Sequence, residues 1–115
     1  MERKIRTYGG YFEAFMDMLS NREQEKVQYG LLLLKTQERL SVKFVKHIRD
    51  GLYELRIEYY GNFYRVFFIF DEGHVIVLFN GFQKKTDKTP ESEIKKAITI
   101  KNEYYADKQP QNSRL

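Results

Sequence analysis

The spacing of apolar residues changes twice along the chain, and these changes constrain the fold more than any other feature. Two groups recur at helical spacing before residue 40: Phe12, Phe15, Met16 and Leu19, then Val27, Leu31 and Leu34. From Leu52 to Lys85 the residues alternate instead, with many Tyr, Phe, Val and Ile side chains, which is typical of β-strands. After Thr89-Pro90 the helical spacing returns and continues to about Tyr105.

This order predicts an α+β fold with an N-terminal helical hairpin packed on an antiparallel sheet of three to four strands, followed by a C-terminal helix. The three main strands are predicted at about 52–60, 63–71 and 74–84, and residues 3–8 form a possible short fourth strand. The segment 41–51 has no clear period and is expected to be irregular. Residues 1–105 are then one domain, followed by a polar, frayed tail at 106–115.

Composition narrows the function classes. The 115 residues contain no Cys, which excludes disulfides and thiolate metal sites. No Asp, Glu and His cluster has ligand spacing, so neither a metal nor another cofactor is expected. The N-terminus lacks an apolar signal segment and the apolar runs are short, which predicts a cytoplasmic protein without a membrane partner. A net charge of +4 favours an anionic partner only slightly.

The turns predict which strand residues share a face. Loops at Gly61-Asn62 and Glu72-Gly73 would place Glu58 and Asn80 opposite Arg65. One face would then carry a polar cluster at one end and four apolar residues at the other. The predicted cluster is Arg56, Glu58, Arg65, Asn80, Phe82 and Lys84, and the apolar residues are Phe67, Ile69, Ile76 and Leu78. The other face would be almost wholly apolar, including Val75, Val77 and Phe79, and would pack on the helical hairpin.

Two interpretations of the polar cluster remain open. In the first interpretation, Glu58 and Arg65 form an ordinary cross-strand ion pair that contributes roughly 0.2–1 kcal/mol to the stability of the sheet. Alternatively, the convergence of two Arg, one Lys and an exposed Phe82 favours a site that binds phosphate and stacks a nucleobase.

Three segments carry a resemblance to a known family. The first is the sequence GLYELR at residues 51–56, the second is Tyr64-Arg65-Val66, and the third is NGFQKKTDKTPESEI at residues 80–94. In this order and spacing they resemble the RelE/ParE toxin superfamily, and the third segment resembles its phage-derived HigB-like branch. The resemblance covers about residues 46–105 and implies a RelE-like fold, in which the antiparallel sheet is curved, two helices lie on one face and a C-terminal helix lies near the other.

The resemblance implies a toxin of a type II toxin–antitoxin system that acts as a ribosome-dependent mRNA endonuclease. Its implied partners are a helix-turn-helix antitoxin, the ribosome and mRNA, with operator DNA contacted only through the antitoxin. By the motif match, the candidate catalytic residues are Arg56, Arg65, Lys84 and Lys85. The candidate RNA-binding residues are Lys46, Asn80, Phe82, Lys88 and Tyr104. Asn80 departs from the family pattern, in which many relatives carry His.

The implied reaction is attack of a ribose 2′-hydroxyl on the adjacent phosphorus without a metal. It requires stabilisation of negative charge by Arg56 and Arg65, together with a base and an acid. Lys84 or Lys85 is the candidate for proton transfer, and Glu58 is an alternative base. Two other functions remain open: a gyrase inhibitor of the ParE kind, and a non-catalytic binding module with the toxin fold.

Overall fold

The computed structural model describes residues 2–108, which form an α+β fold with three helices and one five-stranded sheet. The elements in chain order are β1 (Lys4–Thr7), α1 (Tyr11–Asp17), α2 (Asn21–Thr36), β2 (Val45–Arg49), β3 (Leu52–Tyr59), β4 (Asn62–Asp71), β5 (Val75–Lys84) and α3 (Glu91–Lys108). The strand order is β1-β5-β4-β3-β2, and β1 runs parallel to β5 while the other neighbours are antiparallel. Among residues 2–108, no helix combines the length and apolar character that crossing a bilayer requires.

The sheet has more strands than the three to four predicted, and it is mixed rather than antiparallel because β1 runs parallel to β5. The short strand predicted at 3–8 is present as β1, but the prediction of irregular structure at 41–51 is wrong for Val45–Arg49, which form β2. Asp50 and Gly51, with φ of 54° and 76°, form the tight turn that folds β2 back onto β3. The alternation in β2 spans only five residues, which explains why it escaped detection.

The two N-terminal helices both lie on the sheet, and only the three residues from Met18 to Ser20 separate them. The antiparallel hairpin predicted for them stays a prediction. The seven-residue α1 packs on β5, and the longer α2 packs on β3. Gly81 permits the close approach of α1, since a Cβ there would lie 2.7 Å from Phe15 Cδ2. Ser20 begins α2 with a capping box, in which Glu23 N–H donates to Ser20 Oγ and Ser20 N–H donates to Glu23 Oε1.

The first β-hairpin turns one residue earlier than predicted. Tyr60 and Gly61 form its loop, both at positive φ, so Tyr59 pairs with Asn62 and Arg56 pairs with Arg65. The predicted pairing of Glu58 with Arg65 is therefore wrong. Because each pair is displaced by two residues, the assignment of side chains to faces is preserved in β3 and β4.

The second hairpin departs further from prediction. Its turn leaves three residues unpaired, since Asp71 pairs with Val75. Because of this one-residue slip, the side chains of Val75, Val77 and Phe79 lie on the α3 face of the sheet, and those of Ile76 and Leu78 lie on the α1 and α2 face. The predicted faces of these five residues are therefore wrong. A β-bulge between the Phe68–Leu78 and Val66–Gly81 pairs inserts one residue in β5 and reverses the slip. Phe82, rather than Asn80, consequently lies opposite Arg65.

Each face of the sheet carries its own core. The α1 and α2 face is filled by buried side chains such as Phe15, Val27, Leu55 and Phe68. The other face is covered by α3, whose buried Ile94, Ala97 and Ile100 contact the sheet. Since α3 covers only part of this face, the segments of β3 and β4 that carry Arg56 and Arg65 lie beside it.

The C-terminal helix extends to Lys108 and is anchored there. Residues 106–108 are helical, so the prediction of a frayed tail is wrong for them, and residues 109–115 of the predicted tail lie outside the described residues. Lys108 Nζ is 2.7 Å from Asp71 Oδ2, and Tyr104 Oη donates to the same oxygen at 2.5 Å. The hydrogen bond from Lys108, followed by that from Tyr104, lowers the pKa of Asp71.

Replacing Asp71 by Asn is expected to lower the free energy of unfolding by about 1–3 kcal/mol at neutral pH, since the buried carboxylate accepts two hydrogen bonds. Its lowered pKa makes this contribution complete above the ordinary carboxyl pKa of about 4, and it disappears as the pH falls through the lower folded-state value. Urea unfolding at several pH values checks both effects. Asp50→Asn, in an exposed turn, serves as the control, and equal stability of the two variants would contradict this role.

Candidate phosphate-binding cleft

A cleft of about 470 Å³ lies beside α3 on the sheet face that bears Arg56 and Arg65. Its lining residues are Val42, Lys43, Lys46, Arg56, Glu58, Arg65 and Asp87. Lys46 of β2 pairs with Glu54 of β3, which places both side chains on this face. Asp87 reaches the cleft from the segment between β5 and α3. A second cleft of about 600 Å³ shares Lys46, Arg56 and Asp87 with the first and extends to Arg49, Lys88 and Thr89.

Arg56 and Arg65 lie directly opposite each other on neighbouring strands. Like charges in this position destabilise a sheet unless anions accompany them. Asp87 Oδ1 supplies one contact to both guanidinium groups: it lies 3.0 Å from Arg56 Nη2 and also accepts a hydrogen bond from Arg65 Nη2. Two guanidinium groups thus converge on a single anionic oxygen.

Glu54 provides the second anion and is the most deeply buried group of the site. Its side chain is fully buried, and Oε1 accepts a hydrogen bond from Arg56 Nη1 at 2.8 Å. The same oxygen lies 3.8 Å from Arg65 Nε. Oε2 accepts from Thr89 Oγ1 at 2.8 Å, which attaches the start of α3 to the sheet. Glu54 therefore holds Arg56 and the segment before α3 in place.

Arg65 is almost inaccessible to solvent. It is 2% exposed, and Nη1 donates to the backbone carbonyl oxygens of Tyr64 at 3.1 Å and Ile57 at 3.5 Å. Burial lowers the pKa of Arg65, and the neighbouring charge of Arg56 acts in the same direction. Within the described residues, Arg65 Nε is buried without a hydrogen-bond partner. A guanidinium held this firmly has a fixed direction in the cleft.

The structure brings together some of the predicted site residues and separates others. Arg56, Arg65, Lys46 and Lys88 line the two connected clefts. Lys84 and Lys85 are exposed but line neither cleft, which does not support their predicted part in proton transfer at this site. Lys84 pairs with Phe63, beyond Arg65 toward the β3–β4 turn.

Three predicted RNA-binding side chains are placed where they cannot line the cleft. Phe82 is not the exposed aromatic that was predicted, because it is buried against Phe67. Asn80 is 2% exposed and donates to Glu93 of α3 at 3.4 Å. Tyr104 Oη donates a hydrogen bond to Asp71 at the far end of β4. Asp71 is six residues from Arg65 along this strand, a separation of about 20 Å. The β-bulge accounts for Asn80, since it turns this side chain beneath α3.

Sequence reasoning missed Asp87, Lys43 and Thr89 as members of the site. Asp87 and Thr89 belong to the KKTDKTP segment, in which the Lys residues were the more obvious candidates. One signal was present: a lone carboxylate within a basic segment is a candidate partner for an Arg pair. Among residues 2–108, no group of three or more His, Asp or Glu side chains is arranged to hold a metal ion.

Comparison with known proteins identifies one family. A family model described as Phage derived protein Gp49-like (DUF891) matches residues 14–102, which include the last four residues of α1, all of α2, β2 to β5 and most of α3. The match therefore covers every residue that lines the two clefts. A search of curated proteins gave no significant match.

Proposed function

Since this chain belongs to the family of phage-derived Gp49-like proteins, we propose that it is an RNA-cleaving toxin of the RelE/HigB type, acting as a ribosome-dependent mRNA endonuclease. The observation that carries the proposal is the convergence of Arg56 and Arg65 on one anionic oxygen in an open cleft. Guanidinium groups in this arrangement suit a phosphodiester, whose charge increases during cleavage. The resemblance of the GLYELR and GFQKKTDKTP segments to RelE/HigB toxins supports the same function.

The proposed reaction is an in-line displacement at phosphorus. The ribose 2′-oxygen forms a bond to phosphorus while the bond from phosphorus to the 5′-oxygen breaks. The products are a 2′,3′-cyclic phosphate and a free 5′-hydroxyl. Arg56 and Arg65 stabilise the added negative charge on the non-bridging oxygens, and the rigid support of Arg65 holds that charge in position.

Proton transfer is assigned to side chains that line the cleft. Glu58 is exposed there and makes no ion pair with another described residue, so it is the proposed base that accepts the 2′-hydroxyl proton. Lys46 lines both clefts and is the proposed acid that protonates the departing 5′-oxygen. These roles replace those first predicted for Lys84 and Lys85.

The partners of the proposed toxin follow from its function. The proposed substrate is mRNA held in the ribosome. The proposed inhibitor is a helix-turn-helix antitoxin, and the toxin contacts operator DNA only through this antitoxin. Such a toxin acts in the cytoplasm. The proposed catalysis uses neither a metal ion nor another cofactor.

A second candidate is a non-catalytic binding module with the same fold. One observation favours it: Glu54 and Asp87 neutralise the charges of Arg56 and Arg65 within the protein. The gyrase-inhibitor alternative has no comparable support from the cleft.

Induced expression in a bacterial host distinguishes these functions. The proposed nuclease is expected to arrest growth and to leave cleaved mRNA, detected by mapping transcript ends. Arg56→Gln should relieve both effects, whereas Arg22→Gln, which removes an equal charge from exposed α2, should not. Growth arrest with intact mRNA and broken DNA would indicate gyrase inhibition. Absence of growth arrest from the correctly folded protein would favour the binding module.

A further inference from the structure

Asp87 contacts the Arg pair from the solvent side. Its side chain is 63% exposed, whereas those of Arg65 and Arg56 are 2% and 19% exposed. It belongs to the segment between Lys84 and Glu91, which has no helix or strand. An exposed carboxylate on such a segment therefore covers two cations that are otherwise directed into the cleft.

We propose that the Asp87 carboxylate occupies the position of a phosphate group of the RNA strand, and that binding of RNA displaces it. This inference rests on the proposed function and adds a step before chemistry, in which one anion replaces another on Arg56 and Arg65. Carboxylate and phosphate oxygens accept the same hydrogen bonds from guanidinium groups, so the exchange preserves the geometry of both Arg side chains. The structure is then the closed form of the site.

The remaining contacts can support the Arg pair after Asp87 leaves. Arg56 keeps its 2.8 Å contact with the buried carboxylate of Glu54. Arg65 keeps the carbonyl oxygens of Tyr64 and Ile57. Thr89 stays attached to Glu54, so it forms the fixed end of the segment that moves. Asp87 is thus not needed to hold the two Arg side chains in position, whereas Glu54 is.

The surroundings favour a strand with several phosphates over a single free anion. Lys43 and Lys46 line the first cleft, and Arg49 and Lys88 line the second. Since both clefts meet at Arg56, these cations flank the Arg pair on two sides. A polyanion crossing the Arg pair would contact them at the same time, which makes its binding dependent on salt concentration.

The experiment measures the affinity of a short single-stranded RNA whose riboses carry 2′-O-methyl groups, so that it cannot be cleaved. Asp87→Asn is expected to lower the dissociation constant about fivefold or more, because the fraction of protein with a free site increases. Asp87→Glu retains the competing charge and should remain within about twofold of the wild type. Asp17→Asn removes the same charge from the exposed end of α1, on the opposite side of the sheet, and controls for net charge.

Thermal unfolding of each variant is measured alongside. The exchange is overturned if folded Asp87→Asn binds no more tightly than Asp17→Asn, or if Asp87→Glu binds as tightly as Asp87→Asn, which would indicate loosening of the segment. It is also overturned if Asp87→Asn fails to fold, because Asp87 would then be a structural anchor. If any of these results is found while the wild type still cleaves mRNA on ribosomes, the proposed nuclease function is unaffected. If the folded wild type does not cleave mRNA on ribosomes, the proposed function itself is contradicted.

Discussion

Replacing Glu54 by Gln is expected to lower the free energy of unfolding by about 3–5 kcal/mol, the range for breaking a buried ion pair by removing one partner. The Glu54 carboxylate is fully buried and lies 2.8 Å from Arg56 and 3.8 Å from Arg65. A neutral amide there would leave two adjacent, largely buried guanidinium groups with only the exposed Asp87 carboxylate as a counter-charge. Urea unfolding of the purified variant measures the loss.

Glu58→Gln is the matched control for this measurement. Glu58 lies four residues further along β3 on the same face, but it is exposed and forms no ion pair with another described residue. Its replacement should change stability by less than about 0.5 kcal/mol. Equal losses in the two variants would mean that Glu54 does not anchor the Arg pair.

Arg56→Gln is expected to slow RNA cleavage on the ribosome by about 100-fold to 1,000-fold, which is the range for losing one preorganised donor to a developing oxyanion. Arg56 is the more accessible of the two guanidinium groups, so its loss affects catalysis with less disturbance of the core than the loss of Arg65. Arg22→Gln, at an exposed position of α2, should retain the wild-type rate. Rates come from quenched time courses with purified ribosomes and a defined mRNA.

Arg56→Lys separates the charge of Arg56 from its forked geometry. Lysine preserves a positive charge near Glu54 but cannot contact Glu54 and a phosphate through two parallel donors. We therefore expect a correctly folded protein whose cleavage rate lies between those of the wild type and Arg56→Gln. A wild-type rate in Arg56→Lys would show that charge alone is sufficient.

Most of the sheet could be predicted from the sequence because alternation is strong between residues 52 and 84. The side chains of β3 and β4 were assigned to the correct faces even though the turn was misplaced, because a displacement of two residues preserves the face. For the same reason, Arg56 and Arg65 were correctly expected on one surface. β2 was missed because its alternation is short and its residues are largely polar.

The failures in β5 have a different physical origin. A three-residue turn and a β-bulge each change the face by one residue, and no local property of Phe79 or Asn80 indicates where the extra residue lies. Together they return Asn80 and Phe82 to the predicted face, where α3 covers both side chains. Asp87 was missed because its contacts depend on how the segment after β5 returns across the sheet, which strand periodicity does not describe.

The central claim is that Arg56 and Arg65 together hold the phosphodiester that is cleaved. Its most direct test is analysis of the RNA ends produced by the wild type and by Arg56→Gln on ribosomes programmed with one mRNA. The predicted result is rapid cleavage by the wild type that leaves 2′,3′-cyclic phosphate ends, and the same ends formed about 100-fold or more slowly by Arg56→Gln. Intact mRNA with the folded wild type, or equal rates for the two proteins, would contradict the claim.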